Sequence, residues 1–400
     1  MGWILLKNGH VFDPEDRGVA DVLIVGDRIL AVGERLAAPT GIGEGEVVNI
    51  AGRILLPGLI DAHVHVMGAN GLGGPTTRST DLQIDRIVPT GITTVISPLG
   101  ADSLSRSIPA LLGRAAALEC EGISAYCYTG GWCNPVPTLT GNPQADVAYV
   151  DRFVGVKVAI SEPAAPIYSI DELCRLAHAA FTGGRIAGKG AVLHAHVGDL
   201  PEGLNPLVEV HRRTGIPLRS MIPTHVNRNP VLWQQALEYA QDGGYIDVTG
   251  SERPEAGQHE AIPPARAVRE ALEAGLPADR ITLSSDTGGS KQRFDEHGHS
   301  LGRYMPGPEF LLNTVRELAE GGLPWGAAAR VASSNPAEAL GLTRKGRIAK
   351  GRDADLLILT PAGEVDRVFA RGRLVVRDGK PLVRGPFDGH TLPAPGSHDG

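Results

Sequence analysis

Two histidines separated by a single residue stand near the start of the chain, after an apolar segment and a Pro57-Gly58 turn. They belong to the run Ile60-Asp61-Ala62-His63-Val64-His65. Because alternate residues of an extended strand point to the same side, His63 and His65 are placed to present both imidazoles to one metal ion. The pair alone is a weak signal, since two unrelated histidines would give the same pattern.

Side chains of metal-binding type recur at the ends of later apolar runs. His196, His225 and Asp286 each stand where residues of strand character give way to a loop. The C-terminal ends of parallel strands converge on the face of a barrel that holds its active site, so these side chains are predicted to meet the first two histidines there. His194 competes with His196 as the candidate metal ligand, and we predict that His194 packs behind the site.

Lys157 interrupts the otherwise apolar run Val154–Ile160. Burial disfavours the charged form of a lysine, so a free ammonium would need a partner, and an ordinary buried salt bridge is the simpler interpretation. The interpretation that we favour is a reaction of the amine with CO₂, which gives a carbamate whose two oxygens bridge two cations. Together with four histidines and one aspartate, this lysine predicts a binuclear metal site.

The elements that must position these residues alternate between short apolar runs and helical segments from about Pro57 to about Gly346. This alternation predicts an α/β protein with a parallel sheet, and the number of units favours closure into a (β/α)₈ barrel similar to a TIM barrel. The two ends of the chain are instead β-rich with tight turns, and we predict that they pair into one small β-sandwich domain. The predicted division is 1–57 and 347–390 for the β-domain, 58–346 for the hydrolase barrel and 391–400 for a flexible tail.

The composition narrows the classes of function and location. Of 400 residues, 42% are apolar and 21% charged, and the net charge is −7 without a long basic run, so neither nucleic acid nor membrane is an expected partner. The first residues lack a signal-peptide pattern, and no apolar stretch is long enough to cross a bilayer. The four cysteines lack zinc-ribbon spacing and are expected to be reduced thiols, so a cytoplasmic location is predicted by elimination.

These residues resemble the amidohydrolase superfamily and, within it, the isoaspartyl (β-aspartyl) dipeptidases. The matching segments extend over most of the chain, and they are Gly58-Leu59-Ile60-Asp61-Ala62-His63-Val64-His65, Gly74-Pro75-Thr76-Thr77-Arg78, Asp102-Ser103-Leu104-Ser105-Arg106, Thr224-His225-Val226-Asn227-Arg228-Asn229 and Leu283-Ser284-Ser285-Asp286. The resemblance implies a (β/α)₈ barrel with a flanking β-domain of paired chain ends, and it favours a homo-oligomer.

The resemblance also implies how two divalent metal ions would be held. The ligands would be His63, His65 and Asp286 for the first ion, His196 and His225 for the second, and carboxylated Lys157 as the bridge between them. Imidazole and carboxylate ligands suit zinc best, while manganese, cobalt and nickel are admissible. A hydroxide bridging the two ions would attack the amide carbonyl, and Asp286 would take its proton and return it to the leaving amine. The alternative for Asp286 is a ligand that transfers no proton.

The positions that bind substrate follow the dipeptidases much less closely. Leu72 aligns with a glutamate that binds the substrate's α-ammonium, and Ala101 aligns with a threonine that helps to hold the same end. Trp132 aligns with a tyrosine that assists the polarised carbonyl. Tyr126 and Tyr128 are the alternatives for supplying that hydroxyl.

Carboxylate recognition is also reduced. The segment 161–166 has no counterpart of an arginine that follows the bridging lysine in the dipeptidases, whereas Arg228 and Ser290 are retained and are able to bind one carboxylate. A buried substrate ammonium would lack its partner at Leu72. We therefore favour a blocked, acylated or cyclic amide with one carboxylate over a free β-aspartyl dipeptide.

The predicted function is hydrolysis of an amide bond in a small carboxylate-bearing or dipeptide-like substrate by a binuclear metal enzyme similar to isoaspartyl dipeptidase. A true isoaspartyl dipeptidase that recognises β-aspartyl dipeptides with other residues is the first alternative. A cyclic-amide hydrolase of the hydantoinase or dihydroorotase kind is the second. A non-catalytic binding barrel is least favoured, because such a protein would not be expected to keep all six candidate ligands.

Overall fold

The computed structural model describes residues 2–41, 43–295, 297 and 299–386, so the tail predicted for 391–400 lies outside the described residues. The first part of the chain forms five strands, and many of their apolar residues pack into a core that they share with residues of the segment 348–369. These strands are β1 (Trp3–Phe12), β2 (Asp16–Val25), β3 (Arg28–Gly33), β4 (Gly45–Asn49) and β5 (Ile54–Pro57). The turn between β2 and β3 falls at Gly26-Asp27.

Eight parallel strands follow, and hydrogen bonds join each of them to the next in chain order. They are β6 (Leu59–Asp61), β7 (Ile92–Ser97), β8 (Ser124–Gly130), β9 (Phe153–Ile160), β10 (Val192–Val197), β11 (Met221–Thr224), β12 (Ile246–Thr249) and β13 (Ile281–Ser284). Almost all of their residues are buried, because helices cover the outer face of the sheet and side chains fill its interior. This burial on both faces explains why the strands appear in the sequence as continuous apolar runs.

The first and last strands of this sheet approach each other and nearly close a barrel. At the C-terminal ends of the strands, the backbone N–H of Asp286 donates to the carbonyl of His63 at 3.0 Å, and that of His65 donates to the carbonyl of Thr287 at 2.7 Å. The backbone N–H groups of Ile60 in β6 and Leu283 in β13 also donate hydrogen bonds to the segment 331–332. The segment that carries the paired histidines is therefore fixed to the segment that follows β13.

Helices lie between consecutive strands of the barrel and after its last strand. They are α1 (Ile84–Ile87), α2 (Ile108–Glu121), α3 (Pro143–Tyr149), α4 (Ile170–Ala187), α5 (Asn205–Thr214), α6 (Pro230–Gln241), α7 (Pro264–Glu273), α8 (Glu309–Glu320), α9 (Trp325–Arg330) and α10 (Ser334–Ala339). Local sequence fixes several of their starts. Helix α4 begins with a capping box between Ser169 and Glu172, and the side chain of Asn229 caps α6 by accepting from the Leu232 N–H.

The chain ends in further β-structure. The hairpin β14 (Lys291–Phe294) and β15 (Ser300–Tyr304) follows β13, and the last strands are β16 (Leu356–Leu359), β17 (Val365–Ala370), β18 (Arg373–Arg377) and β19 (Lys380–Pro381). Strand β16 pairs antiparallel with β5. This pairing joins both ends of the chain into one nine-stranded sheet of order β19-β18-β17-β16-β5-β1-β2-β3, with β4 beside β1.

The predicted fold class is confirmed, since a nearly closed (β/α)₈ barrel is accompanied by β-sheet from both terminal segments. The division of the chain into domains stays a prediction. One local expectation is wrong, because β6 ends at Asp61 and both His63 and His65 lie beyond the strand. Among the described residues, none of the helices combines the length and the apolar character that a membrane span requires.

Candidate active site

All six side chains predicted to bind metal line one cavity at the C-terminal ends of the barrel strands. Two of them lie within strands and four lie just after one, in the order His63 and His65 after β6, Lys157 in β9, His196 in β10, His225 after β11 and Asp286 after β13. Residues far apart in the sequence meet here because parallel strands all end on the same face.

Two imidazole nitrogens and one carboxylate oxygen form a small triangle. His65 Nε2 lies 3.3 Å from His63 Nε2 and 3.3 Å from Asp286 Oδ1, and His63 Nε2 lies 3.8 Å from the same oxygen. Ligands bound about 2.0–2.1 Å from a tetrahedral ion stand roughly 3.4 Å apart. The triangle therefore has the size that binding of one shared divalent ion requires.

His225 and His196 stand next to this triangle. The ring of His225 lies 5.1 Å from that of His63 and 4.6 Å from that of His196. Ligand atoms of His63, His225 and Asp286 all lie within 4.8 Å of one another. Burial, assisted by neighbouring cations, lowers the pKa of His63, His196 and His225 well below the usual value, so these imidazoles are in the neutral form that binds metal.

Lys157 is a buried amine without a partner. Its side chain is almost fully buried, and Nζ has no hydrogen-bond partner among the described residues. Burial lowers the pKa of Lys157 to about 7, so a large part of the amine is neutral at neutral pH. An unsatisfied polar group of this kind is costly, and its presence indicates a reactive or ligand-binding role.

The backbone is strained where two of the predicted ligands leave their strands. His225 has φ 67° and Asp286 has φ 58°, both in the left-handed region that residues other than glycine rarely adopt. Such strain concentrates at functional sites. Gly288, at φ 77°, packs so closely against the paired histidines that an added Cβ would stand 2.3 Å from the carbonyl oxygen of His65.

His194 lies behind the cluster, where its Nε2 is 2.8 Å from His63 Nδ1 and its ring stacks on Tyr128 at 4.5 Å. The Tyr128 hydroxyl donates to the carbonyl of Ala62 at 3.2 Å. Neither Tyr126 nor Tyr128 is among the described residues that line the cavity, so neither hydroxyl faces a substrate there.

One buried carboxylate supports the strands beneath the site. Asp247 of β12 accepts hydrogen bonds of 2.5 to 2.7 Å from hydroxyls on β11 and β13, which belong to Thr224, Thr282 and Ser284. Burial raises the pKa of Asp247, and these hydrogen bonds oppose the increase. The hydrogen bonds connect three neighbouring strands just below His225 and Asp286.

The cavity has a volume of about 320 Å³, and its lining includes the four residues predicted to bind substrate, Leu72, Trp132, Arg228 and Ser290. Leu72 is 55% exposed, and the Trp132 ring lies 4.7 Å from the ring of His196. Arg228 Nη1 donates to the carbonyl of Val197 at 2.7 Å. Its Nε lies 3.3 Å from Asp199 Oδ1, so this guanidinium is already partly neutralised.

Five charged residues without a predicted role also line the cavity, namely Glu162, Asp199, Glu252, Lys291 and Arg303. Lys291 Nζ donates to Glu252 Oε1 at 2.6 Å and lies 3.4 Å from Asp286 Oδ2. Burial opposes ionisation of Asp286, but Lys291 and His65 outweigh it and hold the pKa of Asp286 at about 2. Asp286 is therefore an anion at neutral pH.

Glu162 lies on the wall beside His196 and Arg228. Its Oε2 is 3.4 Å from His196 Nε2 and 3.8 Å from Arg228 Nη1. Glu162 follows Lys157 by five residues, and Lys291 follows Asp286 by five. This closeness in sequence to a predicted ligand was the only indication that Glu162 and Lys291 would line the cavity. Glu252 and Arg303 carry no local signal, because loops and the β14–β15 hairpin bring them to the cavity.

Two of the segments that carry the resemblance hold the loop above the cavity. Arg106 Nε donates to the carbonyl of Met67 at 2.9 Å, and its Nη2 donates to that of Ser79 at 2.7 Å. Asp102 Oδ2 accepts from Arg106 Nη1 at 3.2 Å and lies 3.1 Å from Arg78 Nε. These contacts fix the loop that forms one wall of the cavity.

Comparisons with known proteins agree with this geometry. The family model described as the amidohydrolase family matches residues 54–375, and the chain belongs to that family. The β-aspartyl dipeptidase of Fervidobacterium islandicum AW-1, solved in complex with β-Asp-Leu dipeptide, is 35% identical, with a TM-score of 0.86 over 95% of this chain and 98% of that chain.

Two curated relatives are more distant in sequence. The allantoinase of Deinococcus radiodurans is 24% identical over 404 residues, which cover 89% of this chain and 86% of that protein. The adenine deaminase of Sinorhizobium fredii is 25% identical over 395 residues, 93% of this chain, and this chain spans only 58% of the length of that relative.

Proposed function

We propose that this member of the amidohydrolase family is a binuclear metal enzyme that hydrolyses an amide bond in a small carboxylate-bearing substrate. One observation carries the proposal: a triangle of His63, His65 and Asp286 ligand atoms, with sides of 3.3 to 3.8 Å, in the same cavity as the buried amine of Lys157. Imidazole and carboxylate groups that converge on one point, with an amine beside them, are typical of sites that bind divalent cations.

The chemistry of the donor set fits two cations, most readily zinc. His63, His65 and Asp286 would hold the first, and the neutral imidazoles of His196 and His225 would hold the second. When bound, the cations supply an activated water molecule and a polarised carbonyl.

Carboxylation of Lys157 would convert an unpartnered amine into an anion with two oxygens for the two cations. The reaction with CO₂ requires the neutral amine, and a pKa of about 7 makes that form available at neutral pH. The product places a negative charge where the surrounding histidines are neutral. The burial that disfavours the ammonium leaves the neutral amine free to react, and the two cations would offset the cost of burying the carbamate anion.

Asp286 would transfer the proton. Its Oδ1 faces the paired histidines, whereas its Oδ2 lies 3.4 Å from Lys291 Nζ, so the two oxygens have different surroundings. As an anion at neutral pH, Asp286 is able to accept the proton of the attacking water and deliver it to the leaving nitrogen. The C–N bond then breaks, which gives a carboxylate and an amine.

The remaining walls suit a small anionic substrate. A cavity of about 320 Å³ holds a molecule of dipeptide size. Arg228 and the hydroxyl of Ser290 would bind one carboxylate, and the Trp132 ring beside His196 would cover the substrate from water.

A true isoaspartyl dipeptidase is the second candidate function. It is favoured by the 35% identity, over 95% of the chain, with a β-aspartyl dipeptidase solved with β-Asp-Leu. In this case the ammonium of the substrate would be bound without a carboxylate at Leu72. The same experiment distinguishes both of these functions from hydrolysis of a cyclic amide.

The test uses zinc-loaded protein purified with bicarbonate, with its metal content measured. Linear amides of leucine, including β-Asp-Leu, are assayed for release of a new primary amine, and dihydrouracil is assayed for ring opening. We expect leucine release from a linear amide with about two metal ions per chain, and loss of both in Lys157→Ala. Lys350→Ala, an exposed lysine changed in the same way, is the matched control and should behave as the parent.

Each result distinguishes the candidates. Rapid cleavage of β-Asp-Leu in preference to other linear amides would establish the dipeptidase, and ring opening alone would establish the cyclic-amide hydrolase. Protein that holds two metals and hydrolyses none of these compounds would refute the proposed function.

A further inference from the structure

The hairpin β14–β15 presents one of its faces to the catalytic cavity. Gln292 pairs with Arg303 across the hairpin, and Phe294 lies two residues after Gln292 on the same face. All three line the cavity, whereas the intervening Arg293 is exposed and does not. Arg303 is thus brought to the cavity by the register of the hairpin.

Arg303 differs from the other two cations of the cavity because it has no anionic partner among the described residues. Arg228 lies 3.3 Å from a carboxylate oxygen of Asp199, and Lys291 lies 2.6 Å from one of Glu252. No ion pair or hydrogen bond of the Arg303 side chain is found in the described part of the chain. Its guanidinium is therefore available to an anion that enters the cavity.

Among the described residues, the wall next to Arg303 offers no unpaired carboxylate either. The guanidinium of Arg303 lies against the loop that carries Leu72. It is so close to Gly73 that a Cβ added there would stand 3.1 Å from Arg303 Nε. The carboxylate near Gly71 belongs to Asp102, and Arg78 and Arg106 already bind it. A substrate ammonium at this end of the cavity would meet a free cation and an apolar side chain, and both disfavour it.

We propose that Arg303 binds a carboxylate in the acyl half of the substrate, so that the protein hydrolyses monoamides of dicarboxylic acids whose acyl half carries no ammonium group. This inference rests on the proposed function and specifies its substrate class. Water adds to the amide carbonyl, the C–N bond breaks, and the products are a dicarboxylate and a free amine. Arg228 and Ser290 remain available for a carboxylate in the leaving half.

A matched pair of compounds tests the inference, because N-succinyl-leucine is β-Asp-Leu without the α-ammonium group. The assay measures kcat/KM for leucine release from each compound by metal-loaded protein. We expect the parent protein to prefer N-succinyl-leucine by at least about tenfold, because the ammonium group of β-Asp-Leu would lose its hydration beside Arg303 without gaining an anionic partner. Arg303→Gln should lower that preference, and Arg303→Glu should reverse it in favour of β-Asp-Leu.

Arg293→Glu is the control, since it makes the same charge change on the other face of the same hairpin and should leave the preference unaltered. The ratio of the two kcat/KM values is unaffected by partial loss of folded protein, so an unstable variant still gives an answer. A parent preference for β-Asp-Leu, or a ratio that Arg303→Glu leaves unchanged, would overturn the inference alone. Hydrolysis of neither compound, nor of any other linear amide, would overturn the proposed function as well.

Discussion

The clearest quantitative consequence of the structure concerns Lys157→Met in protein freed of metal and bicarbonate. The pKa of Lys157 falls from an ordinary 10.5 to about 7 because the amine is buried, which corresponds to about 5 kcal/mol of unfavourable free energy for the folded state at pH 7. Methionine has a similar length and no charge to desolvate. We therefore expect Lys157→Met to raise the free energy of unfolding of the metal-free protein by several kcal/mol, up to about 5 kcal/mol.

The sign and the pH window follow from proton linkage. The folded-state pKa of Lys157 lies below the unfolded-state value, so between about 7 and 10.5 the unfolded chain binds a proton that the folded chain does not. The stability of the parent falls as the pH decreases through this window and is not lowered further below about pH 7. The advantage of Lys157→Met should accordingly be largest at pH 7 and shrink to about 1 kcal/mol at pH 9.5.

Lys345→Met is the matched control for this measurement. Lys345 is also buried, but its Nζ lies 2.8 Å from Asp353 Oδ2 and 2.7 Å from Asp355 Oδ2. Removing it leaves the buried Asp355 without its cation and Asp353 with only Arg28 and Arg344, which should cost about 3–5 kcal/mol. The same chemical change should thus stabilise the protein at one buried lysine and destabilise it at the other.

Urea unfolding in chelator at pH 7 and pH 9.5 measures both variants. If Lys157→Met is less stable than the parent at pH 7, or if its advantage does not depend on pH, the argument that Lys157 is an unpartnered buried amine is wrong. Addition of zinc and bicarbonate should reverse the order at pH 7, because the parent would gain about 4 kcal/mol for each of two ions at a thousandfold excess over Kd, which exceeds the difference between the metal-free proteins.

Three further substitutions test the site and its support. Asp286→Asn should lower kcat/KM by about 10²–10⁴-fold and reduce the bound metal, as steady-state kinetics and elemental analysis would show, and full activity would exclude a proton-transfer role. Asp247→Ala removes the acceptor of three buried hydroxyls and should cost about 3 kcal/mol in urea unfolding, whereas an unchanged midpoint would mean that these hydrogen bonds do not stabilise the strands. Gly288→Ala should reduce metal content, because its Cβ would stand 2.3 Å from the carbonyl oxygen of His65. Gly302→Ala is the control, since Gly302 also has a positive φ but no atom within 4 Å of the added Cβ, so this variant shows the effect of backbone strain without the clash.

The barrel and the grouping of the candidate ligands could be predicted because both depend on short-range patterns. Each strand is a buried apolar run, and His196, His225 and Asp286 stand at the ends of such runs, where the parallel arrangement brings them to one face. The expectation that alternation within a strand positions the paired histidines is wrong. His63 and His65 lie beyond β6, and they are positioned by backbone hydrogen bonds to the segment after β13, which no local pattern indicates.

The charges that surround the substrate could not be predicted in the same way. Glu252 reaches the cavity from the loop after β12, and Arg303 reaches it from a hairpin whose register decides which of its residues face inward. A shift of one residue in that register would exchange the inward and outward faces and place Arg303 outside the cavity. Such dependence on register leaves no trace in the local sequence.

The two parts of the cavity are therefore constrained in different ways, and this difference would allow the proposed hydrolytic chemistry to act on a different substrate. The metal side is built on strand ends, where moving one ligand would disturb the barrel that supports the others. The side that faces the acyl half is built from the Leu72 loop and the β14–β15 hairpin, whose exposed residues contribute little to the core. The exchange of charge that we propose there, with Leu72 in place of an anion and Arg303 without an anionic partner among the described residues, would alter which substrate is bound and leave the predicted metal ligands in position.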